Sequence, residues 1–346
     1  MEIESNRTVT IDEVARRCGV SKTTISRYLN HKYENISAET RQRIASVIED
    51  LDYRPNRTAQ RLKASRSMLI GCCIGDIASP FSGILLKSIT ETCEAAGYQV
   101  LFADSKEDPL REQRAIEGFL ENRVDGLIVN TAGGNDEFLV AVQRERGVPV
   151  VLADRSLKKG GQLDTVISEY RRCIRDAITL IQSFGYTHIA FFTETICSVM
   201  PRIQRRDSFL QTASFLQDGL APVYEFSKET EGDCFRCIRD FLKRFPGERV
   251  AILSVNGVTA MYVLYAIQET GLSLGKDIGL CTFDDWAWFS LIPPGITAIH
   301  LETDQLGARA AELLLRRLQD KTAFDSPAVS VELTTSFCLR GSLSKG

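Results

Sequence analysis

Residues 9–30 read VTIDEVARRCGVSKTTISRYLN, and the punctuation of that stretch sets the fold of the N-terminal end. Thr10 followed three residues later by Glu13 is a capping-box pattern, Val14 and Ala15 supply an inward apolar side, and Cys18-Gly19-Val20 makes a turn. Ser21 then caps a second short helix, from Lys22 to about Leu29, with Ile25 and Leu29 inward. This phase leaves Lys22, Thr23, Ser26 and Arg27 on the outer face. Short polar side chains and an Arg at the start of a second helix suit contact with base edges in a major groove, where Arg pairs bidentately with guanine. The plainer alternative is a solvated helical bundle whose charges serve solubility.

Immediately downstream, ISAETRQRIASVIEDLDY (36–53) predicts a third helix capped by Ser37, with Ile44, Val47, Ile48 and Leu51 as its apolar stripe. Three small helices then share one core. The next segment, YRPNRTAQRLKASRSM (53–68), has Pro55 placed for a helical first turn and carries Arg54, Arg57, Arg61, Lys63 and Arg66. No acidic residue occurs between Asp52 and Asp76. An isolated helix of about two turns is marginal in water, so this one orders only when covered, and its cationic character makes DNA phosphate the fitting cover. Leu62 admits two readings: a core contact with the following domain, or a wedge between base pairs of the minor groove that kinks the duplex.

Charge is divided along the chain. Residues 1–66 hold 13 Lys and Arg against 9 Asp and Glu, whereas the remaining residues hold 29 against 36, for a total of −3 over 346 residues. A basic module joined to an acidic body suits a polyanionic partner at one end only. The 44% apolar content is enough for a substantial core, and the length favours more than one domain.

The ten cysteines are scattered and often sit inside apolar runs, as Cys72 and Cys73 do in MLIGCCIG, which predicts reduced core residues in a cytosolic protein. The nearest approach to a metal motif is Cys234-Phe-Arg-Cys237, which has no second pair at zinc-finger spacing. Only His31, His188 and His300 supply imidazoles. Helical phase puts Cys234, Cys237, Ile238, Phe241, Leu242 and Phe245 on one face, which favours packing over metal or redox chemistry. No apolar stretch reaches membrane-spanning length, and MEIESNRTVTIDEV has neither the basic start nor the apolar core of a signal peptide, so a cytoplasmic location without membrane contact is expected.

From Met68 onward, short apolar runs alternate with amphipathic ones: SMLIGCCIGDI, LLKSITETCEAAG, YQVLFADS, REQRAIEGFLENR, VDGLIVNTA, EFLVAVQRERG, VPVVLADRS. Continuous apolar strands separated by helices predict a parallel sheet covered on both faces. The pattern repeats in HIAFFTE, RRDSFLQTASFLQDG, ERVAILSVN, VTAMYVLYAIQETG and DIGLCTFDD, which predicts two α/β lobes. There is no P-loop, no strand-following GxGxxG and no GxSxG elbow, so nucleotide and hydrolase readings weaken and no cofactor is expected. Ligands in such folds sit at the C-terminal ends of strands. Ser79 to Ser82, Asn130, Asp154 with Arg155, Asn256, and Asp284 with Trp286 all fall there. Each alone is as well read as a cap or turn residue. Together, carboxylates, amides and Arg can pair with polyol hydroxyls, while Phe81 and Trp286 can stack on an apolar sugar face.

VTIDEVARRCGVSKTTISRYLN, ISAETRQRI and LDYRPNRTAQRLK resemble the N-terminal signature of the lactose-repressor and purine-repressor family of bacterial transcription regulators, without a break over about 55 residues. The resemblance implies that Lys22, Thr23, Ser26 and Arg27 occupy recognition-helix positions. It further implies that Asn56 and Ala59 occupy hinge-helix positions, that Leu62 is the intercalating leucine, and that Thr10, Ser21, Asn30 and Arg57 complete the DNA-contacting set. It extends over nearly all the remainder, which is also similar to periplasmic sugar-binding proteins. By that likeness the effector role falls to Ser79, Phe81, Ser82, Asn130 and Asp154 in one lobe and to Arg205, Asn256 and Asp284 in the other, with Trp286 added as an effector contact from its strand-end position alone.

The chain departs from the family at two points. Arg205-Arg-Asp-Ser208 stands where Arg-x-x-Gly is common, leaving either Arg202 or Arg205 to face the ligand. Gly257 stands where Asp often follows Asn. A pocket with fewer carboxylates and surplus Arg would suit a sugar acid. The implied organisation is a helix-turn-helix domain at 1–53, a hinge at 54–66 and a two-lobed, periplasmic-binding-protein-like α/β domain with parallel sheets at 67–346. Lobe 1 is expected at about 67–166 and 298–326, lobe 2 at about 167–297 and 327–340. TSFCLRGSLSKG at the end has no leucine heptads, so a homodimer on double-stranded operator DNA, released by a sugar or sugar acid, is expected. A transport receptor and a sugar-modifying enzyme on the same α/β fold are the competing classes.

Overall fold

The computed structural model describes residues 9–29, 31–53, 66–213, 221–320 and 324–345. They fall into two compact units, Met1–Ser67 and Met68–Gly346.

The first unit is helical. Helix α1 (Ile11–Cys18) starts at Thr10, whose hydroxyl accepts the Glu13 N–H at 3.4 Å, and stops at Gly19, which takes the left-handed conformation at φ 64°. The other half of the expected capping box is spent differently, because the Glu13 carboxylate pairs with Arg16 and Arg17. Helix α2 (Lys22–Leu29) is capped by Ser21, which accepts the Thr24 N–H at 3.1 Å, and α3 (Ala38–Asp50) by Ser37, which accepts from Thr40 at 3.2 Å. Val14, Ala15, Cys18, Ile25, Ile36, Ile44 and Tyr53 are buried together. Leu29, Val47, Ile48 and Leu51 are half-buried at the margin of that core.

The second unit holds two six-stranded sheets. The first has the order β11-β5-β4-β3-β1-β2, from β1 (Leu69–Ile74), β2 (Gln99–Asp104), β3 (Gly126–Val129), β4 (Val150–Ala153), β5 (Asp164–Ser168) and β11 (Ser330–Leu333). The second has the order β12-β10-β9-β8-β6-β7, from β6 (His188–Glu194), β7 (Val223–Phe226), β8 (Val250–Ser254), β9 (Ile278–Phe283), β10 (Thr297–Leu301) and β12 (Thr335–Cys338). All neighbours run parallel except β10 and β12. Every residue of β1, β3, β4, β8 and β9 is buried, as strands sandwiched between helices require. A separate apolar cluster lies on each face of each sheet.

Lobe membership follows the sequence expectation at the first crossing, after β5, and differs from it at the other two. Strand β10 belongs wholly to the second sheet, so the chain returns to lobe 1 after Leu301 rather than near residue 298. Helix α11 (Thr303–Gln319) then packs into the core of lobe 1. Strand β11, expected in lobe 2, pairs with β5 (Ser330 opposite Thr165), while β12 pairs with β10 (Ala298 opposite Cys338). A single residue, Thr334, separates two strands in different sheets. Nothing local marks such a switch, because pairing is decided by distant partners, 165 residues away for Ser330 and 40 for Cys338.

Candidate DNA-reading helix and ligand cleft

In the first unit, Ile25 is the only fully buried residue of α2. Lys22, Thr23 and Arg27 are exposed, and Ser26 is half-buried. The outward face predicted from sequence therefore exists. Lys22 Nζ lies 2.6 Å from Asp12 Oδ1 of α1, both side chains being well exposed. Thr10 and Ser21 serve as helix caps. Asn30, Asn56, Arg57, Ala59 and Leu62, with hinge residues 54–65, lie outside the described residues.

In the second unit, Ser79, Phe81, Ser82, Asn130, Asp154, Arg205, Asn256 and Asp284 line one cleft of about 60 Å3. Parallel strands bring them together. Ser79, Phe81 and Ser82 open α4 (Pro80–Ala95) after β1, Asn130 follows β3, Asp154 follows β4, Asn256 follows β8 and Asp284 follows β9. The two lobes answer each other: Asp154 and Asp284 each end a strand in the left-handed region, at φ 65° and 66°. Asp154 Oδ1 accepts the Tyr170 hydroxyl at 2.8 Å, and Asp284 Oδ2 accepts the Gly257 N–H at 3.0 Å. Both amides are braced: Asn130 bonds the Gly75 N–H and the Ala153 carbonyl, and Asn256 bonds the Thr259 N–H and Glu194 Oε2.

Arg205, on α8 (Met200–Ala213), is buried with its guanidinium 4.6 Å from the Tyr170 ring centre and 4.1 Å from that of Phe283. One nitrogen donates to the Val255 carbonyl at 2.6 Å. Contact with two rings set edge to face fixes the direction of the planar cation. Burial pushes the Asp284 carboxyl above its usual range, opposed by Arg205 and the Gly257 N–H. Burial also raises the Tyr170 hydroxyl well above its ordinary value, helped by neighbouring Asp154.

Trp286 is a correction. It does not line the cleft; it stacks on Phe289 at 5.5 Å between centroids within the lobe 2 core. Its ring fills the space beside Gly257, where an added Cβ would lie 2.6 Å from two ring carbons, so the Asp common at that position has no room here. Phe81 remains as the aromatic wall. Arg202 and Arg205 both line the cleft.

The expected shortage of carboxylates is also corrected: Asp76, Glu107, Asp154, Glu194 and Asp284 meet Arg155, Arg202, Arg205 and Lys228. Glu107 and Glu194 were missed, although each ends or follows a strand as the chosen residues do. Cys234 and Cys237 pack in the lobe 2 core, with burial pushing their thiols up to about 12 and about 11, away from redox chemistry. Among the described residues no group of His, Cys, Asp and Glu is arranged to hold a metal, and no helix is long and apolar enough to cross a membrane.

A helix-turn-helix unit followed by a two-lobed α/β unit with a polar cleft between its sheets defines a DNA-binding regulator that senses a small molecule. Residues 10–56 match the model for bacterial regulatory proteins of the lacI family, and residues 180–343 match the periplasmic binding protein-like domain. The chain is 35% identical over 336 residues to the HTH-type transcriptional regulator KdgR of Bacillus subtilis (strain 168), covering 96% of this chain and 97% of that protein. It is 32% identical to the regulator PtxS of Pseudomonas putida, covering 96% of each. The crystal structure of the Lac repressor dimer bound to operator and the anti-inducer ONPF superposes with a TM-score of 0.84 at 25% identity, covering 98% of this chain and 100% of that one. The chain belongs to the lacI family of transcription regulators; it is a ligand-responsive DNA-binding protein and not an enzyme.

Proposed function

We propose that the chain is a cytoplasmic repressor of carbohydrate or sugar-acid utilisation genes. It binds a palindromic operator as a homodimer and is released by a small hydroxylated effector held in the cleft. The observation that carries this reading is the convergence of strand-end carboxylates, amides and a ring-contacting Arg205 from both lobes on one cleft. Polar groups so placed can satisfy the hydroxyls of a polyol that loses its water on entry. Lys22, Thr23, Ser26 and Arg27 are the proposed base readers, supported by Thr10, Ser21 and Asn30. Asn56, Arg57, Ala59 and Leu62 are the proposed hinge contacts.

Exposed apolar side chains support the dimer. Tyr265 (63% exposed) lines an apolar concavity in lobe 2 with Leu264, Trp288, Pro293 and Pro294, and Leu291, next in sequence to its lining residue Ile292, is 79% exposed. Ile77, Ile84, Phe102 and Leu110 are exposed in lobe 1. Exposed large apolar side chains beside an apolar concavity suit an association face. Effector binding shifts the lobes relative to each other, and marginal hinge helices respond steeply to that shift. The test is DNA binding against salt, using fragments from the genomic neighbourhood of the gene: a sequence preference with a clear salt slope is expected, and a flat, sequence-blind profile would refute the reading.

A further inference from the structure

Glu107 belongs to lobe 1 but bonds to lobe 2. Its carboxylate lies 3.0 Å from Arg202 on α8, and the same Arg202 nitrogen bonds Glu194 of β6 at 2.9 Å. Within lobe 1, Arg155 approaches Glu107 to 2.8 Å while also donating to the Thr131 carbonyl, and in lobe 2 Lys228 stands 3.5 Å from Glu194. The Arg202 and Glu194 side chains are 9% and 3% exposed, while Glu107 at 20% and Lys228 at 34% keep partial access to water. The backbone is shaped to deliver the carboxylate. Lys106 and Glu107 are consecutive non-glycine residues in the left-handed region, at φ 51° and 56°, and the Glu107 N–H donates to the Gly75 carbonyl at 2.7 Å. Strain of this kind persists only where surrounding bonds enforce it, and it concentrates at clamps and switches. A second contact joins the lobes nearby: a Cβ on Gly133 would fall 2.3 Å from the Ser198 carbonyl oxygen, so the two loops touch backbone to backbone.

We propose that Glu107 is a built-in clasp, an internal anion that holds the two lobes together through Arg202 when no effector is bound. An effector group that reaches Arg202 therefore replaces Glu107 instead of filling an empty position. Effector affinity and the resting lobe geometry are set by the same ion pair. Burial works to raise the Glu107 carboxyl, but Arg155 and Arg202 outweigh it and hold it below the usual range, so the clasp is charged at neutral pH. Breaking one partner of a largely buried pair leaves the other uncompensated, and separation of the lobes hydrates it.

The inference rests on the cleft being the effector site, but its test needs neither effector nor DNA. Failure of the clasp is therefore distinguishable from failure of the regulatory reading. Cys197 is exposed on lobe 2 and Glu137 is exposed on lobe 1. Spin labels at Cys197 and at Glu137→Cys, with half-buried Cys237 and Cys338 changed to Ser, report the distance across the cleft in the full-length protein. With labelled chains diluted in unlabelled ones so that only pairs within a chain are read, the parent is expected to give one short distance. Glu107→Gln and Arg202→Gln should each move the distribution to longer distance, with the double variant no longer than either alone. Glu107→Asp, which keeps the charge but falls short of Arg202, should move it partway, and it keeps the test open if Glu107→Gln does not fold. Distributions unchanged from the parent in Glu107→Gln or Glu107→Asp would overturn the clasp.

Discussion

Gly257→Ala separates local propensity from tertiary packing by the sign of its effect. Gly257 opens α10 (Gly257–Thr270), and its φ lies outside the left-handed region, so Ala is conformationally allowed there. Helix propensity alone favours Ala over Gly by about 0.5–1 kcal/mol. Against this, the new methyl would sit 2.6 Å from two carbons of the Trp286 ring, which is 4% exposed and stacked on Phe289. A ring held on its far side cannot swing away, and overpacking costs about 1–3 kcal/mol. The net effect is destabilisation by about 1–2 kcal/mol, a fall in Tm of roughly 2–6 °C for a domain of this size. Calorimetry of the full-length protein checks this, and Trp286→Leu supplies the cycle: in that background Gly257→Ala should be neutral or stabilising. A higher Tm for Gly257→Ala in the parent, as propensity alone predicts, would refute the packing argument.

Arg27→Ala should relax base preference at one operator position by about 1–3 kcal/mol while leaving the melting of the helical unit unchanged, as competition binding with single-base operator variants would reveal. Asp284→Asn should raise the Tm of the ligand-free protein at pH 7–8. The buried carboxyl has a raised pKa, so its charged form costs stability above that pKa and the cost disappears as pH falls through it. The advantage of Asn should accordingly narrow in melts at acidic pH, and a gap independent of pH would contradict burial as the cause. Leu291→Asp, at a residue 79% exposed, should weaken dimerisation in sedimentation experiments without lowering the Tm of the monomer.

Periodicity and capping made most of the architecture legible. Thr10, Ser21 and Ser37 are local hydrogen-bonding devices, and their helices begin where those residues stand. Fully buried parallel strands likewise announce themselves as apolar runs, and the polar residues that end them mark the cleft. What escaped depends on the far side of a contact. Trp286 follows Asp284 by two residues at the end of β9, yet the ring turns inward because Gly257, twenty-nine residues earlier, leaves it a space. The β10 and β11 strands read as ordinary apolar or mixed segments, and only long-range pairing assigns each to its sheet. Glu107 sits in the turn SKEDP, where charge is commonplace, and the left-handed pair that aims it inward carries no glycine signature.

Control of DNA binding from the cleft is the central claim, and one titration meets it directly. The full-length protein, bound to an operator fragment, is titrated with sugars and sugar acids while operator affinity and Tm are followed together. At least one compound should raise the Tm and lower operator affinity in the parent. Asp154→Ala and Asp284→Ala should keep operator binding but lose both responses. If those variants respond to the compound as the parent does, the effector binds elsewhere and the account fails.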